Sequence, residues 1–509
     1  MNKLVRFVAT TIVVPLTLVG CAGTMRSYDG ELQQTVSLVG AGNTTQALQQ
    51  LEKNNPSKDK DLLYYFEKGQ LLRLDGRFAE SRDAWFAADE KIQAWEEAVK
   101  TDPAKFLGNV GSVVVNDKGR LYEGADYEKV LLTTMLALDH INLGDWANAR
   151  TEIKKTHERE AVISELRAKQ FEKEAEEAKK RNVTTTIKDL KGYPVETLDD
   201  PDVVALKNAY QSAISHYLAG FIYEALGEAS LAAPGYRTAI ELRPNIPLLE
   251  DGLKNLDRRR RPTPGLTDTL FVVESGFAPA KKSISIPIPV PLGGPIGLTP
   301  ISFPIIQSDT SGAVPATLTI DDGKRALPLA LVTNVDALAR RQLRDEMPGI
   351  ILRGTVRAVA KTAAQKVAYD RGGLMAGLLV TIATVATESA DERVWRTLPS
   401  HISLGRAMLP VGEHTLTVPT KQGEQQIRFV VAGKHAVVPV RVVGGNVYVA
   451  QTRYSPEQLA AWTAPEAKPS TRAGTRMGYG TANGRSKKAK KNSAPAVKSA
   501  TPIKVAKPS

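Results

Sequence analysis

AISHYLAGFIYEALGEASLAAPGYRTAIELRP, residues 213–244, is the stretch whose reading decides the fold. Apolar residues recur at three- and four-residue spacing through both of its halves, the pattern of a pair of amphipathic helices. Small residues and rings come in a set order: Gly220 and Tyr223, then Gly227 between the halves, then Ala232, Tyr236 and Ala239, with Pro244 at the close. Gly or Ala where two helices cross lets their backbones approach, and the aromatic side chains fill the hollow toward the next pair.

This order resembles the tetratricopeptide repeat, a 34-residue helix pair. Two further segments resemble it as well: Gly69, Leu72, Gly76, Phe78, Ser81, Trp85 and Ala88, and then Leu136, Ala137, Gly144, Trp146, Ala149 and Ile153. So aligned, the repeats start at 62, 130 and 213; the first interval is twice 34 and the second leaves room for an insertion. Each unit hides its apolar face only against a neighbour, so three of them imply one stacked, curved block over 31–258. Two excursions interrupt it. Residues 104–121, with Val113-Val114-Val115 and Asn116-Asp117-Lys118-Gly119, read as a turn or hairpin. Residues 157–182 are highly charged, with Glu and Lys at four-residue spacing, and read as an exposed helix. Arg258-Arg259-Arg260-Arg261 closes the block, and 259–265 reads as a basic linker.

From 266 the period changes to two. Leu270–Val273, Ser283–Val290, Ala316–Ile320 and Ala326–Leu331 read as strands, with Asp321-Asp322-Gly323 as a hairpin turn. Pro287, Pro289, Pro291, Pro295, Pro300 and Pro304 alternate with apolar residues, which confines that stretch to an edge strand or an extended flap. Residues 334–346 and 349–388 turn helical, and 372–386 carries no charge. Fifteen residues span about 22 Å, short of the roughly 30 Å hydrocarbon core, so this run reads as a buried core helix. Strands resume at 401–406, 413–418, 425–431, 436–441 and 446–450. Pairing them with the strands of 266–331 gives an antiparallel, sandwich-like domain over 266–455 with helices 334–388 inserted. The fold class is therefore multidomain: a helical tetratricopeptide-like domain, then a mixed α+β domain.

The ends fix the expected location. Lys3 and Arg6 precede an apolar run from Phe7 to Val19, the layout of a secretory signal too short to span a membrane. Leu18-Val19-Gly20-Cys21 then resembles the lipobox of bacterial lipoproteins, where the peptidase cuts before a cysteine whose sulfur carries a diacylglycerol. The resemblance implies a signal peptide at 1–20, acylated Cys21 as mature N-terminus, and a tether over 21–30. Several acyl chains hold durably where one holds marginally. Ala22, in place of the Asp that retains lipoproteins at the inner membrane, points to the periplasmic face of the outer membrane. Cys21 is the only cysteine, so no intrachain disulfide forms. The net charge of +12 is a property of the other end: from Glu466 to Ser509 stand eight Lys, three Arg and one Glu. The tail 463–509 has almost no large apolar residue and reads as disordered, able to touch anionic envelope polymers; the folded part is nearly neutral and gives no sign of nucleic-acid binding.

Chemistry is sparse. His140, His157, His216, His401, His414 and His435 show no metal-ligand spacing. Gly433-Lys434 is the nearest approach to a phosphate loop, and no Gly-x-Ser-x-Gly elbow occurs. No catalytic residue, metal or cofactor is expected.

Two clusters stand out: Tyr122-Glu123-Gly124-Ala125-Asp126-Tyr127-Glu128-Lys129-Val130-Leu131, and Ala390-Asp391-Glu392-Arg393-Val394-Trp395-Arg396-Thr397-Leu398-Pro399. They resemble motifs of a family of uncharacterised bacterial envelope lipoproteins with a repeat-rich N-terminal half and a β-rich C-terminal half, a resemblance running from the lipobox to about residue 450. As structure, Asp126 would cap a helix, Asp391 would pair with Arg393, and Trp395 would bury its ring at the domain junction. As a partner-binding motif, the candidates are Tyr122, Gly124, Asp126, Glu128, Asp391, Arg393 and Trp395. The expectation is a non-enzymatic, lipid-anchored scaffold that binds envelope proteins through its repeats. The alternatives are a membrane-associated component of an export assembly, on the strength of 284–306 and 372–386, and a cell-wall hydrolase for which no motif speaks.

Overall fold

Gly76, Gly144 and Gly227 each take a positive φ, 75°, 79° and 78°, one residue beyond the C-cap of a helix. In each case the glycine N–H and the following N–H return to the last helical turn: Gly76 to Arg73 and Arg77 to Leu72, Gly144 to Ile141 and Asp145 to His140, Gly227 to Glu224 and Glu228 to Tyr223. That is the Schellman turn, and it folds the chain into three helical hairpins. The helices are α1 (Tyr28–Gly40), α2 (Thr44–Asn54), α3 (Leu62–Leu74), α4 (Phe78–Thr101), α5 (Asp126–Asn142), α6 (Trp146–Lys180), α7 (Ala213–Ala225), α8 (Ala229–Leu242) and α9 (Pro247–Lys254). Asp61, Asp145 and Ser212 cap α3, α6 and α7 by accepting from the backbone N–H of Tyr64, Asn148 and Ser215. These facts come from a computed structural model, which describes residues 28–102, 122–259, 263–291, 296–386, 389–449 and 451. The expected signal peptide, Cys21 and most of the expected tether, the expected hairpin at 104–121 and the expected tail 463–509 lie outside the described residues.

A fourth hairpin precedes the three expected ones. Gly42, φ 85°, stands 34 positions before Gly76, and the Gly42 and Asn43 N–H groups return to Val39 and Leu38 in the same turn joining α1 to α2. The crossings are as tight as glycine allows. A Cβ on Gly220 would lie 2.7 Å from the Tyr236 ring, and one on Gly69 would run into the Trp85 indole. Trp85 and Tyr236 are fully buried, as is Ala149; Trp146 leans on Phe221 at 6.3 Å, and Pro244 is exposed just past α8.

Among the described residues the β half has eleven strands: β1 (Leu266–Ser275), β2 (Ala280–Pro291), β3 (Ile296–Gln307), β4 (Thr317–Ile320), β5 (Arg325–Pro328), β6 (Ala330–Asn334), β7 (His401–Pro410), β8 (Gly412–Thr420), β9 (Gly423–Val431), β10 (His435–Val443) and β11 (Asn446–Val449). One sheet runs β11-β10-β1-β7-β6, the second β5-β4-β8-β9. Early and late strands thus interleave. β1 and β10 pair in parallel, Leu270 opposite Val437, while the other pairings are antiparallel. Phe271, Val273, Val438 and Val440 meet Leu318, Ile320, Leu416, Val418, Phe429 and Val431 between the sheets. The alternate residues of β1, Leu270 and Val272, point the other way into the helices. A strand buried on both faces reads as a continuous apolar run, which is why FVV sits in the middle of β1.

The helical and β-rich segments share one core. Leu51, Phe66, Trp85 and Tyr217 pack in the same cluster as Leu270, Val272, Ile301, Leu404 and Trp395. Arg259, expected in the linker, pairs back onto Glu224 at 2.6 Å. The expected helices 334–346 and 349–388 are instead one run, α10 (Val335–Ala386), continuous through Pro348 and broken at Gly373, where φ is 72° and ψ −171°. Buried Met347, Ile350, Ile351 and Leu352 flank Pro348, and their packing outweighs the roughly 3 kcal/mol a helix-interior proline costs. Side chains of 374–386 lie outside the described ones. Among the described residues no helix is long and apolar enough to cross a membrane. The charged helix α6 is not merely solvated: Arg159, Glu160, Ile163, Leu166, Glu174 and Ala178 are buried along one side.

β2 and β3 form a separate ribbon in which Pro287 faces Pro300. Neither has an N–H, so this pair cannot be one of the bonded pairs of an antiparallel ladder and its nitrogens face outward. By the two-residue period the nitrogens of Pro289, Pro291 and Pro304 face outward too. The prolines spare every ladder bond and strip donors from both outer edges. The inward face, with Ile286, Ile301 and Phe303, is buried; Gly354 of α10 packs against Ile301, and Thr299 shares a hydrogen bond with Thr362 at 3.2 Å.

Candidate functional site

The two clusters, some 260 residues apart, meet at one seam. Gly124, φ 77°, turns the chain into α5 where a side chain would crowd Leu62 at 3.2 Å. The cap then differs from expectation. Glu128, in the first turn, reaches back to accept the Ala125 N–H at 2.8 Å, while Asp126 has no capping role and faces sideways. Asp126 takes a two-toothed grip from Arg167 on α6, 2.6 and 2.9 Å, and pairs with Lys129 at 3.1 Å. Burial alone would raise its pKa, but Arg167 and Lys129 overcome that and hold it at about 2. Lys129 is fully buried, its ammonium 3.6 Å from the centre of the Trp95 ring, and burial lowers its pKa. The Asp126 N–H donates to Gln342 of α10 at 2.9 Å.

From the other side comes the irregular segment 390–399, laid against the first helices of the hairpins. Asp391 and Arg393 form a forked pair with two contacts of 2.8 Å, and the guanidinium lies over the half-buried Tyr122 ring at 5.2 Å. The Trp395 ring, fully buried, stacks on Phe66 at 4.4 Å and meets Trp85 edge-on at 5.8 Å. Its backbone N–H donates to Glu128 at 2.6 Å, and the Tyr122 hydroxyl donates to the other oxygen of the same carboxylate. From the neighbouring hairpin, Glu67 of α3 accepts from the Arg396 N–H at 2.6 Å and the Thr397 N–H at 3.1 Å. Burial pushes Glu67 up to about 7, against the pull of the Thr397 hydroxyl, those two amides and Arg396. Glu128 is raised for the same reason.

Behind this lies a buried charge cluster. Arg73 on α3 pairs with Glu274 on β1 at 2.8 Å and Asp139 on α5 at 3.3 Å, and Arg441 on β10 donates to the Thr397 carbonyl at 3.0 Å. α5 is buried at all of its residues, packed among α3, α6, β10, α10 and segment 390–399.

Between the clusters sits a polar cavity of about 170 Å³, lined among others by Tyr122, Glu123, Lys281, Arg353 and Asp391. A more apolar one of about 560 Å³ opens between α9, β5 and β7, with Arg406 at its floor. Arg406 is spoken for there: it grips Asp268 and Glu224 at 2.5 and 3.0 Å and donates to Tyr217 and Tyr236. Of the repeat signature, Gly69 and Trp85 reach the seam through Trp395. Gly76, Gly144, Trp146, Ala149, Gly220, Tyr223, Gly227, Tyr236 and Pro244 shape the hairpins and lie away from it. Sequence reasoning missed Glu67 and Arg73, although a Glu inside the otherwise apolar run LLYYFEKGQLL is a legible anomaly. Among the described residues, two trios place metal-ligating atoms within 4.8 Å of one another: Glu224, Asp268 and His435, and His157, Glu160 and His216.

No protein-family model matches the chain, and no curated protein matches it. Among solved structures, a tetratricopeptide repeat protein from Parabacteroides merdae ATCC 43184 is similar at 14% identity, over 45% of this chain and 98% of that one, with a TM-score of 0.12.

Proposed function

We propose that the chain is a non-enzymatic scaffold, anchored by acylated Cys21 to the periplasmic face of the bacterial outer membrane, that holds envelope proteins near that surface. One observation carries the reading: the buried charged groups of the seam are spent on the chain itself. Asp126, Lys129 and Arg167 satisfy one another, Asp391 holds Arg393, and Glu67 and Glu128 hold backbone amides. Groups so paired weld the two halves together. A repeat block whose inner face is filled in cis offers partners its outer helices, above all the exposed side of α6, where Glu165, Lys169, Glu176 and Lys180 alternate in sign. The basic tail would add weak contact with anionic envelope polymers. Photo-crosslinkers placed at Lys169 and Glu176, with one at exposed Arg325 as control, test this in intact cells. Discrete protein adducts from α6 support the scaffold; adducts from Arg325 alone, or fatty-acid label retained by Cys21→Ser, count against it.

A second reading, a membrane-associated component of an export assembly, is favoured by one feature. No charged residue occurs from Ser283 to Gln307, the greater part of the β2–β3 ribbon. Carbonate extraction of Cys21→Ser separates the two, because only the second reading leaves that variant in the membrane.

A further inference from the structure

The two trios of metal-ligating side chains differ in what already sits among them. At Glu224, Asp268 and His435 the protein supplies its own cations: Arg406 lies 3.0 Å from Glu224 and 2.5 Å from Asp268, and Arg259 lies 2.6 Å from Glu224. That trio needs no metal. At His157, Glu160 and His216 no Lys or Arg pairs with the carboxylate among the described residues, although Glu160 is 6% and His216 2% exposed. A carboxylate buried without a cation is costly to maintain.

His157 and Glu160 stand one turn apart on the same face of α6, and His216 comes across from α7. His216 Nε2 and Glu160 Oε1 are 3.1 Å apart, yet they are not aligned as a hydrogen bond, and Glu160 Oε1 and both ring nitrogens of His216 lack any hydrogen-bond partner. Two ligands of one tetrahedral ion, each about 2.0–2.1 Å from it, sit about 3.3 Å apart and aim past each other at a common point. The His157 ring is 5.1 Å from that of His216, within reach of the same point, and is exposed, which gives an ion a way in. Gln211 donates to the remaining carboxylate oxygen of Glu160 at 3.1 Å, the outer contact that orients a ligating carboxylate.

We propose that His157, Glu160 and His216 bind a divalent zinc ion that ties α6 to α7, with a fourth position open to water beside His157. Two imidazoles and one carboxylate form the borderline-soft set that zinc takes. The spacing hides this from the sequence, because the third ligand comes from the next hairpin.

The test uses the full, untagged chain, stripped with a chelator and titrated with Zn2+ by calorimetry and with Co2+ by visible absorption. One Zn2+ per chain is expected, together with the intense visible bands of four-coordinate Co2+. His157→Ala, exposed and therefore tolerated by the fold, should weaken binding at least a hundredfold and abolish those bands, and Glu160→Gln should do likewise. His435→Ala should bind as the parent does. A parent chain that does not bind, a His157→Ala variant that binds equally well, or loss of binding in His435→Ala overturns the proposal.

Discussion

Glu67 accepts the backbone N–H of Arg396 at 2.6 Å, joining residues 329 positions apart across the junction of helix and sheet. A carboxylate that grips main-chain amides holds a segment by its path, as a repeat groove holds a peptide, whatever side chains the segment carries. Glu128 does the same for Trp395, and the stacked ring of Trp395 supplies the apolar part of the contact. Segment 390–399 is in effect a ligand built into the chain, and it commits the inner face of the repeats.

The pH dependence of stability follows from that burial. Glu67 is held at about 7 in the folded chain against 4.5 for the free group, so the folded state binds the extra proton. Its contribution is fully present below about 4.5 and is lost as pH rises through about 7, up to about 3 kcal/mol at 1.4 kcal/mol per unit. Urea unfolding should therefore give a lower free energy at pH 8 than at pH 5. Glu67→Gln should be less stable than the parent at pH 5, because its amide NH2 faces donors, and the gap should narrow by pH 8. A parallel offset at both pH values would show that Glu67 does not titrate in this window.

Asp126 has the opposite sign. Held at about 2 against 3.8, it stabilises the fold above 3.8 and loses that effect as pH falls through about 2. Removing its charge leaves fully buried Lys129 uncompensated, so Asp126→Asn should cost about 3–5 kcal/mol. Adding Lys129→Met should recover a large part, since replacing a buried ion pair by apolar groups is often neutral. Thermal melts of the two single variants and the double variant give the coupling directly. Additive losses would mean that the two do not act as a pair.

Glycine positions separate two physical demands. At Gly69 a methyl group would meet the Trp85 indole inside the core, so Gly69→Ala should lose about 1–3 kcal/mol by overpacking. At Gly76 nothing lies near, and only the positive φ resists, so Gly76→Ala should lose about 1 kcal/mol. Trp85→Phe should restore part of the first loss and none of the second. Equal losses, indifferent to Trp85, would contradict the packing of the first crossing.

How far the sequence could be read follows from the range of the interactions. Gly76, Gly144 and Gly227 act on their own turn, and a period shows them; the same rule would have found Gly42 34 positions earlier. Asp321-Asp322-Gly323 was legible as a turn for the same reason, all three residues taking positive φ. What could not be read was which surfaces meet. Glu67, Arg73, Asp139, Glu274 and Arg441 look like ordinary helix and strand charges until β1 and β10 are laid on α3 and α5. The site residues Tyr122, Asp126, Glu128, Asp391, Arg393 and Trp395 were singled out as two clusters, and their meeting depends on a register that no local pattern encodes.

The β2–β3 ribbon bears on the membrane reading. Pro287, Pro289, Pro291, Pro300 and Pro304 all fall at outward positions of the ladder, so each outer edge has gaps in the row of donors that another strand would bond. A strand in a transmembrane barrel is bonded on both sides, since the bilayer offers no water to satisfy a bare edge. The ribbon is therefore built to lie against α10 and to refuse further strands, and membrane contact by this segment would have to be of another kind. Replacing Pro287, Pro289 and Pro300 together by Thr restores three outward donors while keeping β-branched or similarly extended backbone. The triple variant should keep its fold, because no ladder bond changes, but it should self-associate through the opened edge. Light scattering and sizing at increasing concentration would show dimers and larger species absent from the parent. A variant that stays as dispersed as the parent would mean that the edge is covered by something other than its prolines.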